Sequence, residues 1–113
     1  MKNFLMSRDA NNRDTGAIPQ SDTIYSLSMV TNTEKIVTVP AGATIAVFSA
    51  TGNFYCRFGE TVIIPAGDII DGSAGELNPV ARSVSGVTSI HMIAPSDIVV
   101  TILFYGVPTP PFI

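Results

Sequence analysis

The sequence has few charged residues, no tryptophan, one cysteine and one histidine, and these shortages exclude several classes of protein. Charged residues are 13% of the 113 residues and the net charge is −3, whereas about 25% charged is usual in soluble domains. The six basic residues are scattered, without the basic patch of a nucleic-acid-binding domain. No run approaches the about 20 apolar residues of a membrane-spanning helix. We therefore expect neither nucleic acid nor a membrane as partner, and we expect other subunits to cover part of this weakly charged surface.

The single histidine and single cysteine also limit the chemistry. Zinc needs three or four nitrogen, sulfur or oxygen ligands, and His91 and Cys56 stand on different predicted strands. Cys56 shares a strand face with phenylalanines, where a thiol packs as a small apolar group. Asp68 and Asp71 are spaced as turn residues, with weak cation binding as the alternative. Because every catalytic motif lacks a partner residue, we predict no enzyme, no metal and no cofactor.

The residues that are abundant predict an all-β fold. Thirteen Ile, 11 Val and 11 Thr outnumber the four Leu, and β-branched side chains favour strands. Short runs closed by turn residues predict an antiparallel β-sandwich or jelly roll of about eight strands. The predicted strands are Thr23–Val30, Glu34–Val39, Thr44–Ser49, Phe54–Phe58, Thr61–Ile64, Val80–Val84, Thr88–Ala94 and Ile98–Tyr105. The last is apolar on both faces, which indicates a central strand or one covered by a partner.

Two terminal segments differ from this body, which spans residues 23–106. Residues 1–22 are mostly polar and are interpreted as an extended arm, with a disordered terminus as the alternative. Residues 107–113 form a proline-rich tail with an extended path. The apolar and proline residues predicted to contact a partner are Phe4, Leu5, Met6, Pro108, Pro110, Pro111, Phe112 and Ile113.

Three residues of the body are further candidates for partner contact. Tyr55 and Arg57 share the outward face of one predicted strand, and both residue types are enriched at interfaces. His91 alternates with Ile90 and Met92, which places it with Ser89 on the face away from the core. We interpret it as a surface or interface histidine. The alternative for Tyr55 and Arg57 is an ordinary solvated pair.

Several motifs resemble those of small tailed-phage virion proteins, and the resemblance spans about residues 36–106. They are VPAGA at 39–43, FSATGNFYCRFG at 48–59, DGSAGELNP at 71–79, GVTSI at 86–90 and IVVTILFYG at 98–106. The resemblance implies a jelly-roll-like module that decorates or cements the phage head, commonly as a homotrimer. It brings no catalytic residues.

The leading hypothesis is therefore a bacteriophage virion structural protein, made in the host cytoplasm, that binds the major capsid protein or another virion protein and its own copies. Cys56 permits no internal disulfide, in agreement with that reducing compartment. The alternative is a virion-associated carbohydrate- or receptor-binding module, for which Phe54 and Tyr55 are the only aromatic platform. An enzyme is the third possibility, and it would depend on His91.

Overall fold

The protein is a sandwich of two antiparallel four-stranded sheets, described by a computed structural model for residues 1–4, 10–11 and 17–106. The strands are β1 (Thr23–Met29), β2 (Lys35–Thr38), β3 (Ala43–Ala50), β4 (Tyr55–Phe58), β5 (Glu76–Leu77), β6 (Ala81–Ser83), β7 (Ser89–Ile93) and β8 (Ile98–Gly106). The first sheet has the order β1-β8-β3-β6 and the second β2-β7-β4-β5. No helix in these residues is long and apolar enough to cross a membrane. The all-β sandwich predicted from the sequence is confirmed.

The order of the strands is that of a jelly roll. Each strand of the first half pairs with its counterpart counted back from the last strand: β1 with β8, β2 with β7, β3 with β6 and β4 with β5. Two further pairings, β3 with β8 and β4 with β7, join these hairpins into the two sheets. The chain is therefore one long antiparallel ribbon rolled over a single core.

The core lies between the sheets and is built by alternate side chains of each strand. On β8 the inward residues are Ile98, Val100, Ile102 and Phe104, all buried. Burying each of these side chains contributes roughly 1.5–3 kcal/mol. The ring of Phe104 meets that of Tyr25 edge-on at 5.1 Å. β8 is central, between β1 and β3, which is the first of the two alternatives that its apolar faces indicate.

The predicted strand Thr61–Ile64 is wrong, because these residues form no strand. The backbone N–H of Val62 donates to the Glu34 carboxylate at 2.9 Å instead of to a neighbouring strand. The Val62 side chain is itself buried, so it packs beneath the loop. The short β5 lies instead within the predicted loop 71–79, where Cys56 and Tyr55 pair with Glu76 and Leu77.

The described parts of the predicted arm pack on their own domain, at the end of β8. The backbone carbonyl of Lys2 accepts a hydrogen bond from the backbone N–H of Gly106 at 2.8 Å. The Tyr105 hydroxyl donates to the Pro19 carbonyl at 2.7 Å, and the ring of Phe4 meets that of Tyr105 edge-on at 5.1 Å. The buried Ser21 hydroxyl donates to the Phe104 carbonyl at 2.6 Å. Residues 1–4 and 17–22 thus cover one end of the first sheet.

Candidate assembly face and polar cluster

The outer face of the first sheet carries no charged side chain. Strands β1, β3, β6 and β8 contain a single charged residue, Arg82. Arg82 is the cross-strand neighbour of the fully buried Ala46. Its side chain therefore lies on the core side of the sheet, at the edge. The remaining outward positions are aliphatic, hydroxyl-bearing or aromatic. Tyr105, at one end, is covered by Phe4 and Pro19. We call the rest of this surface the neutral face; its residues are Ile24, Ser26, Ser28, Ile45, Val47, Ser49, Ala81, Ser83, Val99, Thr101 and Leu103.

The strand register arranges the neutral face in rows that cross the sheet. One row is aliphatic and runs across all four strands through Ile24, Leu103, Val47 and Ala81. The next row carries only hydroxyl groups, from Ser26, Thr101 and Ser49. Ile24 is 44% exposed and Val99, two rows away, is 40% exposed. Depletion of charge with retained apolar exposure is the composition found at the centres of protein interfaces.

Charged side chains close both open sides of the sandwich. On one side the Lys35 ammonium of β2 donates to the Ser28 carbonyl of β1 at 2.9 Å. On the other, the Arg82 guanidinium of β6 forms a bidentate pair with the Glu76 carboxylate of β5. Charges directed inward on edge strands oppose pairing with further strands. The edge strands are therefore protected against pairing with further strands, whereas the neutral face has no charged side chain to oppose contact with another protein.

The outer face of the second sheet has the opposite character, because it carries a cluster of polar and charged side chains. Ser89 Oγ lies 3.2 Å from His91 Nε2, and His91 Nδ1 lies 3.3 Å from Glu34 Oε2. The His91 side chain is 12% exposed and the Glu34 side chain 25%. Ile90 and Met92 are fully buried, which confirms that His91 and Ser89 face away from the core.

Tyr55 and Arg57, the predicted contact pair, also lie on this outer face, and both are half-buried. Arg57 is the cross-strand neighbour of His91. Its guanidinium pairs with Glu60 at 2.6 Å and donates to the Thr61 carbonyl at 3.4 Å. Arg57 therefore supports the start of the loop between β4 and β5.

Cys56 lies on the core side of β4, as the sequence predicts, and is buried. Burial, strengthened by the negative charge of Glu76, raises the pKa of the Cys56 thiol to about 12. The nearby Arg82 charge opposes this shift. The thiol is therefore neutral at physiological pH and acts as a packing group. Within the described residues, no group of three His, Cys, Asp or Glu side chains is placed to hold a metal ion.

The loop end beside β3 bears on the carbohydrate-binding alternative. A shallow pocket of about 340 Å³ is lined there by residues 48–54 and 78–80. The Asn78 amide group donates to Asn53 at 2.9 Å and accepts from the Phe54 backbone N–H at 3.0 Å, so its hydrogen bonds hold the two loops together. Phe54 is only 2% exposed, and it offers no aromatic surface on which a sugar could stack.

The structure describes only part of the predicted contact set. Phe4 contacts Tyr105 of its own chain, and Tyr55, Arg57 and His91 share the outer face of the second sheet. The remaining predicted contacts lie outside the described residues: Leu5, Met6, Pro108, Pro110, Pro111, Phe112 and Ile113. Asp71 is a turn residue, since its carboxylate accepts from the backbone N–H of Ser73 at 3.0 Å.

Two features were missed by the sequence analysis. The neutral face had a readable signal, because β1, β3 and β8 contain no charged residue. The contact between Glu34 and His91 had no readable signal, because 57 positions separate the two residues in the sequence. Comparison with protein families, with curated proteins and with solved structures found no match to this chain.

Proposed function

We propose that this protein is a bacteriophage virion structural protein, a decoration or cement subunit that binds the major capsid protein and its own copies as a homotrimer. The observation that carries the proposal is the neutral face. A four-stranded surface without charged side chains is suited to burial against another protein and is costly to leave in water. The jelly roll adds support, because this architecture is common in viral capsid domains.

The neutral face is the proposed contact between copies. An uncharged surface excludes charged partners, whose ions would lose hydration without gaining a counter-ion. In a homotrimer each interface joins two different patches of the chain, so the neutral face of one copy would meet a different patch of its neighbour. Specific interfaces bury about 800 Å² on each partner. Four strands about 4.8 Å apart supply a width of roughly 19 Å, so elements beside the sheet must add to the contact.

The test is the solution mass by multi-angle light scattering, measured across a concentration series. We expect about three times the 11.9 kDa of one chain, and we expect Val99→Glu to yield monomers. Ile36→Glu is the matched control: Ile36 is 57% exposed on the outer face of the other sheet, so this variant should assemble normally. A monomeric wild type at every concentration would exclude self-association.

Binding to the particle is tested by co-sedimentation with purified capsids that lack the protein. Wild type and Ile36→Glu should saturate a fixed number of sites, whereas Val99→Glu should bind with at least tenfold lower apparent affinity because it loses the avidity of the trimer. Folding of each variant is checked by far-UV circular dichroism. If the wild-type trimer does not sediment with capsids, while the isolated protein binds a glycan, the carbohydrate-binding alternative replaces this proposal.

A further inference from the structure

The polar cluster on the second sheet has the connectivity of a nucleophile, a general base and an orienting carboxylate. The Glu34 carboxylate only accepts hydrogen bonds, so neutral His91 must carry its proton on Nδ1, 3.3 Å from Glu34 Oε2. The lone pair of Nε2 is then directed to the hydroxyl of Ser89, 3.2 Å away. Such contacts are often long in the absence of substrate.

We propose that Ser89, His91 and Glu34 form an acyl-transfer site that hydrolyses small activated esters. Ser89 Oγ attacks the ester carbonyl carbon while its proton passes to His91 Nε2. The carbon–oxygen bond to the leaving alcohol then breaks, and His91 returns the proton to that alcohol. Water, deprotonated by His91, attacks the acyl-serine, and Ser89 Oγ departs with the proton, which leaves a carboxylic acid as the second product.

Glu34 is a positioning residue with a second anchor. The same Oε2 atom that faces His91 also accepts the backbone N–H of Val62 at 2.9 Å. Val62 is buried, with 1% exposure, so the carboxylate is held between the loop and the sheet. A fixed, largely covered carboxylate maintains the imidazole tautomer and stabilises the imidazolium formed during the reaction.

The neighbours of Ser89 leave room for a substrate. The backbone N–H of Gly59 donates to the Ser89 carbonyl at 3.0 Å, and a Cβ at Gly59 would meet no atom within 4 Å. Arg57 is in register with His91 on the same face, and its guanidinium is held by Glu60 at 2.6 Å.

The experiment uses the full chain with a fluorophosphonate probe, which labels serines activated by a base, followed by tandem mass spectrometry of the peptides. We expect one label per chain, on Ser89. His91→Gln removes the base and should slow labelling at least about 100-fold, whereas Glu34→Gln should slow it less. Ser26→Ala, which removes a hydroxyl from the neutral face, is the control and should label normally.

Turnover is measured in parallel with p-nitrophenyl acetate. The wild type should release p-nitrophenol in excess of the buffer rate, and Ser89→Ala should return the rate to that of buffer with the same circular dichroism spectrum. An unlabelled Ser89, or labelling that is equal in His91→Gln and wild type, overturns the proposal. The result is independent of the proposed virion function, because Ser89→Ala leaves the neutral face unchanged and should bind capsids as the wild type does.

Discussion

At the scale of single residues, the position of Cys56 predicts how stability depends on alkaline pH. Its pKa is raised from 9.0 to about 12 in the folded protein by burial and by the Glu76 charge. A raised pKa means that the folded state holds the thiol proton more tightly than the unfolded state does. The stability that the neutral Cys56 thiol contributes is therefore complete below pH 9 and is lost as pH rises from 9 to 12. The loss approaches about 1.4 kcal/mol per pH unit.

The measurement compares wild type with Cys56→Ala in urea denaturation at several pH values between 8 and 11. The two proteins share every other titrating group, so the difference between their free energies of unfolding isolates the thiol. That difference should shrink, and then change in favour of Cys56→Ala, as pH rises above 9. A difference that stays constant across this range would contradict the assignment of Cys56 to the core.

At the scale of elements, the loop between β4 and β5 depends on close packing over the second sheet. A Cβ at Gly75 would lie 2.6 Å from Val62 Cγ2 and 3.1 Å from Tyr55 Cβ, whereas at Gly67 it would meet nothing within 4 Å. Gly75→Ala should therefore destabilise the protein by about 1–3 kcal/mol through overpacking. Gly67→Ala is the matched control and should change stability by less than about 0.5 kcal/mol.

The loss of stability expected in Gly75→Ala is measured by thermal unfolding together with amide hydrogen exchange. Gly75→Ala should lower the melting temperature and speed exchange at the Val62 amide, because displacement of Val62 breaks its bond to Glu34. If Gly75→Ala and Gly67→Ala behave alike, the loop is not packed against β4 as described.

The elements also show what a sequence can and cannot reveal. Alternation alone placed His91 and Ser89 on the outer side, because strand periodicity is local. It failed at Thr61–Ile64, where a carboxylate 28 positions earlier captures the Val62 amide. The neutral face needs the register between strands, which joins Ile24, Leu103 and Val47 into one row. Such long-range pairings depend on the whole chain, and no motif encodes them.

At the scale of the whole molecule, the rolled ribbon predicts slow folding. The pairing of β1 with β8 joins Thr23 to Phe104, and contacts between distant residues cost loop-closure entropy before they contribute stability. We expect refolding in milliseconds to seconds or slower. Stopped-flow circular dichroism measures it, since the chain has no tryptophan. Refolding in microseconds would contradict the β1–β8 pairing.

The central position of β8 also bears on how the protein is made. On a ribosome, β1 to β7 emerge before the strand that must lie between β1 and β3. The first sheet, with its aliphatic row, therefore has to wait for residue 106 to be translated. A nascent chain stalled in the second half would expose the inward faces of both β1 and β3, so the core can close only after the last strand is synthesised.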